Sequence, residues 1–129
     1  MNLTEEQQLI YKKAETFLSA AKYNFQGELY GTVLNRVYYA VFTCSQLMLL
    51  IDGHTTKTHS GNHNKFSEIF IKSGIVGKEY GMILHELFKL RQATDYDASS
   101  VASKEDAENA LEKANAFFEM TSNWLHQLD

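Results

Sequence analysis

The sequence predicts an all-α fold, an antiparallel four-helix bundle with one short accessory helix, and three observations carry that prediction. Apolar residues recur at helical spacing in five separate segments of the 129-residue chain, and strand-like alternation is missing. The chain has no proline, which permits long uninterrupted helices. Hydrophobic residues make up 44% of it, so a buried core is affordable in a single domain spanning residues 1–129.

The first segment opens Thr4-Glu5-Glu6-Gln7, a capping-box pattern with two acids suited to the positive end of a helix dipole. Leu9, Ile10, Ala14, Phe17, Leu18 and Ala21 then form a stripe interrupted by Lys13, and the helix should end near Asn24. The second helix should run from about Glu28 to Asp52, stopped by Gly53. Its apolar face is broad, from Tyr30 and Val33 to Met48 and Ile51, and Leu34, Tyr38 and Phe42 widen it further. Such a helix is covered by several neighbours. A narrow polar stripe remains at Asn35, Arg36, Tyr39, Thr43 and Gln46.

His54 to Ser60 reads as a polar connection, followed by a short helix from near Gly61 to Ser73 with Phe66, Ile69 and Phe70 inward. Lys78 to about Asp95 forms the fourth segment, with Tyr80, Ile83, Leu84, Leu87, Phe88 and Arg91 along one side. Asp97 to Ala102 reads as loop. Ser103-Lys104-Glu105-Asp106 is a second capping box, with Asp in the usual Glu or Gln position. It opens a last helix whose alanines allow a neighbouring helix to approach closely.

The net charge of −4 and the scattered lysines and arginines argue against general coating of a polyanion, leaving room for a small local site. The longest apolar stretch, Leu47 to Ile51, is far below the roughly 20 residues a membrane helix needs. No charged-then-apolar leader opens the chain, so a cytoplasmic location without membrane association is expected. The lone cysteine, Cys44, lies in an apolar run and reads as core.

Three signatures follow one another along the chain: Asn35-Arg36-Val37-Tyr38-Tyr39-Ala40-Val41-Phe42, then Lys57-Thr58-His59-Ser60-Gly61, then Leu90-Arg91-Gln92-Ala93-Thr94-Asp95-Tyr96. In order and spacing they resemble short, stand-alone prokaryotic proteins of the HEPN domain family, from about Leu3 to Leu128. The resemblance implies a homodimer, a neighbouring nucleotidyltransferase as toxin–antitoxin partner, and a nucleotide or RNA ligand, with no cofactor. Active family members are metal-independent ribonucleases built on an arginine followed, four to six residues later, by a histidine.

Arg91 matches that arginine, but Tyr96 stands where the histidine is expected, and no histidine lies between His85 and His126. Histidine, titrating near 6.5, both accepts and donates protons at neutral pH, whereas tyrosine near 10 is almost wholly neutral there. Arg91 and Tyr96 are the catalytic candidates. Arg36, Tyr39, Arg91, Asp95 and His59 are the candidates for holding a ligand or phosphate. Each has a structural alternative. Asp95, four residues on, shares a helix face with Arg91 and can pair with it. Arg36 and Tyr39 share a face as either an anion cleft or a hydrogen-bonded seam. His59 and His63 are spaced to face one metal ion, yet a zinc site needs three or four protein ligands, so no metal site is expected and His59 orders or caps the short helix. His85 lies off the Arg91 face, and His126 suits the negative end of the last helix.

Overall fold

A computed structural model describes residues 2–96 and 101–128, the side chain of Tyr96 excepted, and among these the chain is all-α. Five α-helices follow in order: α1 (Glu5–Gln26), α2 (Tyr30–Ile51), α3 (His59–Phe66), α4 (Lys78–Tyr96) and α5 (Lys104–His126). A single π turn, Ser67–Ile71, prolongs α3. The four long helices run alternately up and down. Tyr80 meets Phe117 and Glu86 meets Lys113 across α4 and α5, while Tyr11 on α1 reaches Phe118 and Ser122 on α5.

Local chemistry sets the helix ends. Thr4 Oγ1 accepts from the Gln7 amide while the Gln7 side chain accepts from the Thr4 amide, and Ser103 and Asp106 repeat the arrangement at α5. Each cap contributes about 1 kcal/mol. α1 runs two residues past Asn24, to Gln26, and α2 starts at Tyr30 rather than Glu28. Between them Glu28 takes a left-handed backbone, φ 62°, and the Leu29 amide folds back on the Asn24 carbonyl at 2.9 Å. α3 begins at His59, earlier than the sequence suggests, because Thr58 Oγ1 caps the Gly61 amide at 2.9 Å. The expected connection after α4 falls largely on residues 97–100, outside the described residues.

α2 is the spine of the bundle, flanked by α1, α5 and α4. Twelve of its 22 residues are buried. Thr43, expected on the polar stripe, is among them, because three helices leave α2 little open surface. Against it lie Ala14, Leu18 and Ala21 of α1, Leu84 and Leu87 of α4, and Ala107, Ala110, Ala114 and Phe117 of α5. The small α5 residues let that helix approach closely. Leu9 is the exception in the α1 stripe, at 64% exposed. α3 is pinned to α2 by the buried Asn62, whose side chain lies 2.7 Å from Ser45 Oγ. No helix among the described residues is long and apolar enough to cross a membrane.

Candidate functional site

The outer part of α2, the start of α3 and the last turns of α4 meet in an aromatic cluster. Tyr38 and Tyr39 are adjacent on α2 and diverge by about 100° around the helix axis. Tyr38 is wholly buried, while Tyr39 sits partly open beside Phe17 of α1. Phe88 of α4 packs on Tyr38, with centroids 5.4 Å apart.

Arg91 reaches into this cluster from α4 and is only 9% exposed. Its guanidinium carbon lies 5.3 Å from the Tyr38 ring centroid, 5.5 Å from Tyr39 and 5.6 Å from Phe88. Three aromatic faces thus offer a partly desolvated cation their negative quadrupoles. Arg91 Nη1 donates to the Tyr39 hydroxyl at 2.9 Å. Asp95 Oδ2 stands 3.8 Å from the same nitrogen, an ion pair longer than a good hydrogen bond. Arg91 Nε is sealed from solvent without a partner among the described residues.

Beneath the arginine, the Tyr38 hydroxyl is shared by two imidazoles. It lies 2.7 Å from His59 Nδ1 and 3.1 Å from His63 Nε2. His59 also stacks on Phe42, at 4.4 Å between centroids, and on Phe88, at 5.8 Å. Burial holds the Tyr38 phenol well above its ordinary value, outweighing the opposing pull of Arg91. Burial and then the Arg91 charge push His59 below 6.5. Burial, helped by His59 and His85, lowers His63 to about 4. At neutral pH the two rings and the phenol are therefore uncharged, and Arg91 is the cation of the cluster.

Of the sequence candidates, the fold brings Tyr39, Arg91, Asp95 and His59 to this one place. Arg36 lies a turn before Tyr39 on α2, and its Nη1 donates to Asn35 Oδ1 at 3.0 Å. No hydrogen bond joins it to Tyr39 or Arg91 among the described residues. Tyr96 closes α4, and its side chain is outside the described residues. His59 is the first residue of α3 and does not cap it, because Thr58 does. His85 lines a shallow groove with His63, Ser67 and Lys78. His126 Nδ1 lies 2.7 Å from the Ser122 carbonyl oxygen in the last turn of α5. Among the described residues, no three His, Cys, Asp or Glu side chains are gathered to hold a metal.

Sequence reasoning placed Tyr38 in the core and missed its hydroxyl chemistry. The signal was present. His59, His63, Phe66 and Phe70 share one helical stripe, so both imidazoles point inward with the phenylalanines, toward a buried tyrosine that needs a hydrogen-bond partner.

A family model described as the HEPN domain matches residues 7–124. Two relatives from Methanocaldococcus jannaschii carry the name "Putative toxin". One is 33% identical, over 93% of this chain and 82% of its own length; the other is 31% identical, over 98% and 94%. A Thermotoga maritima protein named "UPF0332 protein" is 29% identical, over 91% of this chain and 89% of the relative.

Proposed function

Because the chain belongs to the HEPN domain family, we propose that it is the HEPN component of a toxin–antitoxin type system and holds a phosphate of RNA or a nucleotide at Arg91. The carrying observation is a nearly buried guanidinium that the described residues neutralise incompletely. It has one phenol bond, a carboxylate at 3.8 Å and an Nε without a partner among the described residues. Buried charges are normally paired and hydrogen-bonded, and an anion with several oxygens at the open edge of the guanidinium supplies the missing charge. Tyr39 orients the fork, and the ring faces of Tyr38 and Phe88 hold its plane.

The names of the M. jannaschii relatives favour the toxin–antitoxin context. Within that context the protein acts as a homodimer with a nucleotidyltransferase as its partner protein, an assignment that rests on the family resemblance. The missing histidine after Arg91 argues against the family's usual arginine–histidine catalysis.

Fluorescence anisotropy with labelled single-stranded RNA, and competition by nucleoside triphosphates, tests the reading. Hydrogen bonds to a charged group contribute about 1.5–3 kcal/mol, so Arg91→Gln weakens binding about 10- to 100-fold. It also lowers the salt slope by about one. Unchanged affinity in a folded Arg91→Gln protein overturns the proposal. The Asp95 contact favours a second reading, in which Arg91 only ties the last turns of α4 to α2. That reading predicts a loss of stability with no change in binding.

A further inference from the structure

We propose that His59 is the acid–base group of this site, and that Tyr38 and His63 are positioning residues which set its tautomer through the shared phenol. The inference rests on the reading of Arg91 as a phosphate contact and adds a chemical step to it.

A phenol has one proton to give and accepts at its oxygen, and each neutral imidazole has one bare nitrogen and one N–H. With His59 Nδ1 at 2.7 Å and His63 Nε2 at 3.1 Å from the Tyr38 oxygen, two arrangements satisfy every group. In the first, Tyr38 donates to His59 Nδ1 and His63 Nε2–H donates to Tyr38, so His59 carries its proton on Nε2. In the second, His59 Nδ1–H donates to Tyr38 and Tyr38 donates to His63, so His59 Nε2 is bare. Interconverting them takes a proton shift along each bond together with loss of the His59 Nε2 proton and gain of one at His63 Nδ1, so the exchange runs through solvent. His59 Nε2, the nitrogen that Tyr38 does not engage, is thereby a donor in the first arrangement and an acceptor in the second.

Position supports the assignment. His59 packs against Tyr38, Tyr39 and Phe88, the same three rings that enclose the Arg91 guanidinium. Among the described residues, the titratable and charged groups facing the pair are Tyr38, Tyr39 and Arg91 around His59, with His85 of α4 near His63. Arg91 is the cation among them and opposes protonation of His59, so the base form survives at neutral pH.

The substrate class is a ribose phosphodiester, whose 2′-hydroxyl supplies the nucleophile. That oxygen attacks phosphorus and its proton passes to His59 Nε2. The new bond to the 2′-oxygen forms while the bond to the leaving 5′-oxygen breaks, and Arg91 stabilises the charge on the non-bridging oxygens. The leaving oxygen takes a proton from water, and His59 returns its own to solvent. The products are a 2′,3′-cyclic phosphate and a 5′-hydroxyl.

The test incubates the purified full chain with single-stranded RNA and with its DNA copy, in EDTA to suppress metal-driven RNA breakdown. Ends are read by mass spectrometry and binding by anisotropy. The expected result is slow RNA cleavage with cyclic phosphate ends and an intact DNA copy. General acid–base catalysis is worth about 10²- to 10⁴-fold, so His59→Gln slows cleavage at least 100-fold while binding is retained. Any smaller loss overturns the assignment. Tyr38→Phe keeps the ring and moves the acidic limb of the rate–pH profile by about half a unit, the worth of one hydrogen bond. An unmoved limb overturns the positioning role. RNA binding without cleavage by the wild type overturns this inference and leaves the Arg91 proposal standing, whereas absence of binding overturns both.

Discussion

Acidification should weaken the fold through His63 before the carboxylates are neutralised. The ring titrates near 6.5 in an unfolded chain but only at about 4 in the folded protein. Between those values the unfolded state binds a proton that the native state refuses. Linkage then makes stability rise with pH across that window, complete above about 6.5 and lost as pH falls toward 4. At about 1.4 kcal/mol per pKa unit the full span is worth about 3 kcal/mol. The ring is only partly buried, and solvent screening reduces this to about 1–2 kcal/mol. His59, lowered in the same direction, adds to it. Urea unfolding followed by Trp124 fluorescence at pH 7.5, 6.0 and 5.0 measures the effect, since Trp124 packs edge-on against the buried Phe70. His63→Gln should remove most of the pH dependence between 7.5 and 5.0 whatever its absolute stability. Identical pH dependence in the two proteins, or a native His63 resonance titrating near 6.5, refutes the reasoning.

Three further outcomes are expected. Phe117→Ala should cost about 3–5 kcal/mol in chemical unfolding, because the ring is wholly buried against Phe66 and Tyr80. Glu28→Gly should stabilise by about 0.5–1 kcal/mol, seen as a melting temperature higher by about 3 °C, because glycine removes the left-handed strain at φ 62°. Cys44 should resist a thiol reagent such as DTNB in the native state and react on unfolding, since burial pushes its thiol up to about 12.

The helices were legible because their signals are local. Capping boxes at Thr4 and Ser103 and the apolar stripes of α1, α2 and α5 depend on residues three or four apart, and the structure reproduces them. The start of α3 was less legible, because Thr58 and the Gly61 amide it caps lie in a stretch that reads as loop by composition. Within the cluster, the Arg91–Asp95 spacing was visible on one helix, whereas its contact with Tyr39 spans 52 positions and depends on how α2 meets α4. The Tyr38 hydroxyl was hidden for a different reason. Apolar periodicity locates a buried tyrosine but does not say where its hydroxyl goes, and the answer lies 21 and 25 residues further on.

Tyr38 and Tyr39 are mounted on the most thoroughly encased helix of the molecule. Any displacement that retuned their spacing to Arg91 would have to drag packed layers of α1 and α5 along with it. A substitution on α3 or in the closing turns of α4 meets fewer packed neighbours, and there the groups around Arg91 can change without moving the spine. The spine holds the tyrosines still, and the adjustable part of the site lies at its margins.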